Sequence, residues 1–312
     1  MSARNGRADS VKFLLFSDLH HYPNVFKGGT WDDLARIHRH AEAANVDFII
    51  HAGDFCHGPK TIAPEFVKAY NRFHIPSYHC LGNHDADKDT FEDTIRAYNM
   101  PDGHYYFDVK GVRMIVLNPN FCYYEGEYIH YSLSNYYKLG EFRDYMPPEQ
   151  IEWLRDTIDT SPYPCILISH ESFERCDGVR NRAEVLAVIN AANKKKPHSV
   201  LMCINGHHHR DNLRILDGVL YYDMNSAAQD WLEHEHDLYP KEECAKISCL
   251  SHIVCFNDPL HAIVTVEGST ITIEGMETTM YLGITREMTG NPPFDPAGRP
   301  VTPRVQSAKI TL

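Results

Sequence analysis

Apolar residues come in short runs separated by amphipathic stretches, and the alternation holds over the first third of the chain. Residues 11–17 (VKFLLFS) are a compact apolar run that gives way to polar residues, which predicts a buried strand. Residues 30–44 place apolar side chains at helical spacing, with Thr30 as N-cap ahead of WDDLARIHRHAEAA. The pattern then repeats as strand 46–51 and helix 64–73, and as strand 76–81 and helix 90–98. Three strand–loop–helix units in succession predict a parallel sheet with helices on its faces.

Further along, three pairs of strand-like runs flank turn signals: 105–109 and 112–117 about Lys-Gly, 213–216 and 219–223 about Asp-Gly, 261–266 and 270–274 about Glu-Gly-Ser. Helices are predicted at 148–158, with Pro148 in the first turn, and at 181–192; strands are predicted at 165–169 and 199–205. Residues 118–147 form a loop long enough to suggest a function, and 230–259 break the strand pattern as a second insertion. The stretch GNPPFDPAGRP is an irregular connector to a last short segment. The reading is one domain over 11–280 that carries both insertions. Residues 281–312 follow as an extension packed on that domain or at an interface. No internal repeat is visible.

Composition adds bounds rather than detail. The chain has 312 residues, 43% apolar and 23% charged, as ordinary soluble globular proteins have. Its formal net charge of −12 repels a polyanion and argues against a nucleic-acid partner. A bound divalent cation would reverse that sign locally, so a small phosphorylated substrate stays open. Nine cysteines without a CxxC pair point to reduced thiols and a cytoplasmic setting. The start MSARNGRADS has no apolar signal core, and no apolar run approaches membrane-spanning length, so no membrane partner is expected.

The chemistry lies where strands end. Five predicted strands stop at metal-capable residues: Asp18-Leu-His20, Gly53-Asp54, Gly82-Asn83-His84-Asp85, His170, and Gly206-His207-His208-His209. Polar caps on strand ends would account for any one of these. All five in order, at the carboxyl ends where open α/β sheets gather ligands, point to a metal site. Residues two apart past a strand can face the same way, so Asp18 and His20 can chelate one ion. His207 and His209 can do the same or splay to two ions. Gly53, Gly82 and Gly206 each precede a candidate ligand, where glycine admits close backbone approach. Oxygen and imidazole donors without a thiolate suit Mn, Fe or Zn.

The order D-x-H, G-D, G-N-H-D, H, G-H-x-H resembles the calcineurin-like metallophosphoesterases, over residues 13–210. The resemblance implies a four-layer α-β-β-α sandwich: two mixed sheets flanked by helices, with a dinuclear site. It implies one metal on Asp18, His20, Asp54 and His209, and another on Asp54, Asn83, His170 and His207, with Asp54 bridging. It implies that His84 is catalytic and that Asn83 and His84 face the phosphate, which a hydroxide held between the metals attacks. In GDFCHG this chain carries His57 and Gly58 where members often have a charged pair, which puts in doubt a substrate contact usually made there.

Other candidates have plainer readings. His21 and His208 are spare histidines near ligands. His51 and His57 flank Asp54 without being expected to ligate, and the EHEH tract at 233–236 reads as a solvated face. Cys165 and Cys203 read as small core residues. The 121–145 stretch holds seven tyrosines, among them Tyr123 and Tyr124, which would either stack an organic group over the metals or pack the loop.

The function that follows is hydrolysis of a small phosphate ester, a phosphodiester first, cyclic nucleotides included. A phosphomonoesterase on a nucleotide, sugar or protein phosphate is the alternative, and a non-catalytic metal-binding protein on the same fold a second one. Whether identical chains associate is left open.

Overall fold

The computed structural model describes residues 10–26, 29–232, 235–290, 292–296, 298–299 and 301–312. Most of the polar start, and Glu233 and His234 of the EHEH tract, lie outside these. The first units are β1 (Val11–Phe16), α1 (Thr30–Ala44), β2 (Phe48–His51), α2 (Pro64–Asn71), β3 (Ser77–Tyr78) and α3 (Phe91–Ala97). The middle of the chain holds β4 (Tyr105–Val109), β5 (Val112–Val116), β6 (Phe121–Tyr124), β7 (Glu127–His130), α4 (Asn135–Lys138), α5 (Pro148–Asp159), β8 (Cys165–Ile168), α6 (Arg182–Lys195) and β9 (Val200–Asn205). The remainder is β10 (Asn212–Leu216), β11 (Val219–Asp223), β12 (Gln229–Trp231), α7 (Lys241–Cys244), β13 (Ile253–Cys255), β14 (Ala262–Glu267), β15 (Thr270–Glu274), α8 (Arg286–Thr289) and β16 (Ala308–Thr311).

The strands assemble into two mixed six-stranded sheets, ordered β16-β15-β14-β1-β2-β3 and β10-β11-β9-β8-β5-β4. Pairing is parallel within β1-β2-β3 and within β5-β8-β9-β11, and antiparallel toward β14, β15, β16, β4 and β10. The inner faces meet in one core that joins Phe13, Leu15, Phe48 and Val264 of one sheet to Met114, Ile166, Met202 and Leu220 of the other. The outer face of the first sheet packs on α1 and α2 through Leu14, Ile49, Leu34, Ile37, Phe66 and Tyr70. The outer face of the second packs on α5 and α6 through Ile115, Leu167, Ile151, Leu154 and Ile189. Both central sheets are buried on two faces, which is why their strands read as continuous apolar runs rather than alternating ones.

Differences from the sequence reading have local causes. The strand expected over 76–81 pairs only at Ser77–Tyr78. Its register sets Tyr78 against Ile50, so one residue further on β2 ends and the Gly53 turn begins. The expected loop at 118–147 contains the β6–β7 hairpin, closed by Glu125 and Gly126 with φ of 52° and 90°. Both values are positive, as in the two-residue turns that match strand twist. The second insertion is held by the antiparallel β12–β13 pair over its own apolar cluster, which includes Phe26, Leu232, Tyr239 and Leu250. The segment after 280 ends in β16, which pairs with β15 and makes the edge of the first sheet.

Ending the chain after Ser307 would remove β16 and bare β15. Loss of that short ladder and of half-buried Ile310 is worth about 1–3 kcal/mol, or roughly 3–10 °C of melting temperature. A thermal melt with elemental analysis checks this: the melt should fall and the metal content should not.

Candidate metal centre

Parallel strands put their carboxyl ends on one rim, and the chain turns sharply as each strand stops there. Asp18, His20, Asp54, His207 and His209 take left-handed backbone conformations, with φ of 53°, 51°, 49°, 68° and 53°. That region costs a non-glycine residue about 1–2 kcal/mol. Five expected ligands therefore occupy strained positions, and strain of this kind collects at working sites. Backbone bonds hold them: Asp18 N donates to Gly53 O and His20 N to Asp54 O, each at 3.0 Å. His207 N donates to Asp18 Oδ2 at 3.1 Å, which ties one sheet to the other.

The three glycines are explained by space. A Cβ on Gly53 would lie 2.3 Å from His170 Nδ1, one on Gly82 would lie 2.2 Å from Asp54 Oδ1, and one on Gly206 would lie 1.9 Å from Ser17 Oγ. Candidate ligands occupy the space a Cβ would need at Gly53 and Gly82, and at Gly206 Asp18 Oδ2 lies next, at 2.5 Å.

The structure brings all seven expected ligands together. His209 Nε2 is 3.1 Å from His20 Nε2 and 3.3 Å from Asp18 Oδ1. His20 Nε2 is 3.9 Å from both Asp18 Oδ1 and Asp54 Oδ2. On the other side, His170 Nε2 lies 3.1 Å from Asp54 Oδ2, and His207 Nδ1 lies 3.1 Å from Asn83 Oδ1. Donors about 2.0–2.2 Å from a shared ion stand about 3–3.6 Å apart, so most of these spacings fit ligands around cations. Asp18 Oδ1 is buried with no hydrogen-bond partner. His170 Nε2 has no hydrogen-bond partner, although the carboxylates of Asp54 and Asp18 face it at 3.1 and 3.8 Å. Such orphaned donors and acceptors fit a metal centre.

The opposite nitrogens are pinned. His170 Nδ1 is 2.7 Å from Ala52 O, His209 Nδ1 is 2.8 Å from Gln229 O, and His20 Nδ1 is 2.9 Å from His57 Nε2. A partner on one ring nitrogen fixes the tautomer and aims the other at a metal. His57, buried, thus supports His20; it stands where a substrate contact was in doubt, and its ring nitrogens bond to His20 and Asp87. Asp85 accepts from the backbone N–H groups of Asp54, Cys56 and Gly82 and from Tyr98, binding three turns together.

Electrostatics agree with this division. Burial pushes His20 and His207 well below the ordinary imidazole value, which leaves neutral lone pairs. Burial would lower His170 too, but Asp54 and Asp18 overcome it and raise its pKa well above the ordinary imidazole value. Glu171, next in sequence, is buried with both carboxylate oxygens unpartnered, and burial pushes it up to about 8. It groups with His170 and His207, a neighbour that the sequence reading missed.

His84 differs from the ligands: its side chain is 16% exposed. Its backbone N–H donates to Asp54 Oδ1 at 2.8 Å, and its Nδ1 is 2.9 Å from Asp87 Oδ2. Asp87 also meets His57 Nδ1 at 2.9 Å and accepts from Tyr136 Oη at 2.7 Å. Burial would lower the His84 pKa, but Asp54 and Asp87 outweigh it and raise it above 6.5. The sequence reading missed Asp87, although it lies one helical turn past His84 in NHDAD, the spacing at which helical side chains meet.

The structure shifts the tyrosine expectation along its loop. Tyr123 and Tyr124 are exposed on the hairpin, and their ring contacts are Tyr128, Tyr145 and Phe142. Tyr136 and Tyr137 are the ones that reach His84, with Tyr137 Oη 3.5 Å from its Nδ1. Trp231, from the second insertion, lies with its ring centroid 6.0 Å from His20, 6.4 Å from His84 and 6.0 Å from His209. The spare histidines pack or pair elsewhere: His21 stacks on Phe66, His51 bonds His79, and His208 faces Asp177.

The family model described as calcineurin-like phosphoesterase matches residues 11–211. Among solved structures, a dimetal phosphatase from Danio rerio superposes with a TM-score of 0.60 at 14% identity, over 88% of this chain and 99% of that one. GAP50, the anchor in the inner membrane complex of Plasmodium, superposes with a TM-score of 0.54 at 13% identity, over 89% of this chain and 87% of that one. At such identities the likeness is one of fold. A comparison with curated proteins finds no match.

Asp54 touches both halves of the centre, so Asp54→Asn should weaken metal binding at both. By elemental analysis after dialysis, Asp54→Asn should hold at least one equivalent fewer than wild type, and close to two fewer if the halves depend on each other. Loss of less than one equivalent would show that the halves bind independently of Asp54.

Proposed function

Since the chain belongs to the calcineurin-like phosphoesterase family and is a hydrolase acting on phosphoric esters, we propose that its substrate is a small organic phosphodiester, cyclic nucleotides included. The observation that carries this is the setting of His84, a histidine held by a carboxylate and reached by aromatic rings from two separate insertions. Trp231 stands on the side of His20 and His209, and Tyr137 on the side of Asp87. Two aromatic seats beside one phosphate site suit an ester with two organic substituents.

The proposed centre holds two ions drawn from Mn, Fe and Zn. Asp18, His20, Asp54 and His209 would take one; Asp54, Asn83, His170 and His207 would take the other. Bound ions supply Lewis acidity, activating water and drawing charge from the phosphate oxygens. The chain's own groups do the rest. Asp87 engages His84 Nδ1, so Nε2 carries the proton that the leaving oxygen needs. Tyr136 donates to Asp87 and keeps it in place. Asn83 and His84 face the phosphate.

A phosphomonoesterase is the second reading. Half-exposed Arg143, near Tyr136 and Glu171, could meet the extra charge of a monoester. Rates on bis(p-nitrophenyl) phosphate and p-nitrophenyl phosphate separate the two: the diester should be the better substrate, and the reverse order overturns that preference. Family membership sets aside the non-catalytic alternative. No helix among the described residues is long and apolar enough to cross a membrane. Free thiols at all nine cysteines support the proposed cytoplasmic setting, and the acidic charge supports a small substrate rather than a nucleic acid.

His84→Ala should lower kcat by about 10²–10⁴ with metal content unchanged, and by less on esters whose leaving groups need no proton. The pH profile gives a finer check. The acid form of His84 is lost as pH rises through its raised pKa, so the rate should fall there. Asp87→Asn removes one of the charges that raise it, and the alkaline limb should move to lower pH; an unmoved limb would separate Asp87 from His84. Trp231→Ala should raise KM for nucleotide esters by about 5- to 150-fold, the worth of one stacked base, with little effect on a minimal ester. Equal losses on both, with an earlier melt, would make the ring a packing residue.

A further inference from the structure

Away from the rim, α1 and the turn after α2 bring His38, Glu42 and His74 together, with one ligand atom of each within 4.8 Å of the others. We propose that these three residues form a separate site for a divalent transition metal, best suited to zinc, which clips α1 to the link between α2 and β3. His74 Nε2 lies 3.4 Å and His38 Nε2 4.0 Å from the same oxygen, Glu42 Oε1. Donors about 2.0–2.2 Å from a tetrahedral zinc ion stand about 3.3–3.6 Å apart, so a small swing of exposed side chains closes the set.

Three further features favour an ion over a surface ion pair. His38 Nε2 is shielded from solvent and has no hydrogen-bond partner, although it points among two groups able to share a cation. The His38 ring is fixed by stacking on Phe73, centroid to centroid 3.8 Å at 7°, so one ligand is rigid before any ion arrives. Burial lowers the His38 pKa despite the nearby carboxylate, which keeps the ring neutral and its lone pair free. Two imidazoles and a carboxylate, with a fourth position open to water, are a recognised donor set for zinc. His38 and Glu42 lie one helical turn apart, so the helix itself presents both on one face.

The site is distinct from the rim. α1 begins at Thr30, which bonds His21 near the metal centre, and ends where Lys12 Nζ reaches Ala44 O, at the start of β1. His38 and Glu42 belong to the half of the helix that runs away from the strand ends. An ion there would act on stability, because a ligand bound only by the folded chain favours it.

The test is zinc titration of the full-length chain by calorimetry, with elemental analysis after desalting, on wild type, His74→Ala and Glu42→Gln. His74 is 67% exposed and Glu42 43%, so neither change empties a core. Wild type should bind one equivalent more than either variant, and the zinc-dependent rise in its melting temperature should shrink in both. Phosphoesterase activity should be unchanged. Zinc-edge anomalous diffraction should place an ion between the three side chains. Equal stoichiometry in all three proteins, or anomalous signal confined to the rim, would overturn the site. Failure of the rim centre would remove the equivalents that depend on Asp54 and leave the one that depends on His74, so the two outcomes are separable.

Discussion

Two imidazole nitrogens, His20 Nε2 and His209 Nε2, face each other at 3.1 Å inside the protein. Both rings are turned inward because their other nitrogens are taken, by His57 and by Gln229 O. The pair is thus aimed at one point, at the spacing of two ligands on a shared cation. Beside it Asp18 Oδ1 is buried with no hydrogen-bond partner, and a buried polar group so left costs about 1–3 kcal/mol. Left-handed backbone at five of the ligands adds to that cost. The two large apolar interfaces of the sandwich provide the stability against which such a rim can be maintained.

The same constraint explains the architecture around the site. A parallel strand delivers its last residue to the rim, and one sheet alone supplies only the ends of β1, β2 and the chain past β3. The remaining ligands come from the ends of β8 and β9 in the other sheet. The sheets must therefore meet at this edge, and bonds from His207 N to Asp18 Oδ2 and from Ala227 N to Ser17 O join them there. Gly53, Gly82 and Gly206 make the approach sterically possible.

The groups proposed for catalysis lie one layer outside the proposed ligands. Asp87 gathers His57, His84 and Tyr136 on one carboxylate, and so links a histidine that supports His20 to the partly exposed His84 and to the tyrosine insertion. Burial would raise its pKa, but the hydrogen bonds of His57 and His84 prevail and hold it well below the usual carboxylate range. A charged carboxylate in this position orients His84 and favours its acid form.

The sequence by itself determined which residues could bind metal and where they had to lie. Short apolar runs ending in Asp, Asn and His mark strand ends, and strand ends share a rim, so the five clusters were legible as candidates from local pattern, and the family resemblance singled out Asp18, His20, Asp54, Asn83, His170, His207 and His209 within them. Residues whose role depends on partners distant in sequence were not. His57 matters because it lies against His20 across a turn, Trp231 because β12 brings it over the rim, and Tyr136 rather than Tyr123 because a hairpin turns the latter away. Nor could periodicity show that β16 returns to pair with β15, since a four-residue edge strand carries too little pattern to announce its neighbour. Ligand type and strand end are encoded within a few residues, and the chain alone decides them. Second contacts and walls of the site arise only when separate turns are packed together, and the tertiary structure decides those.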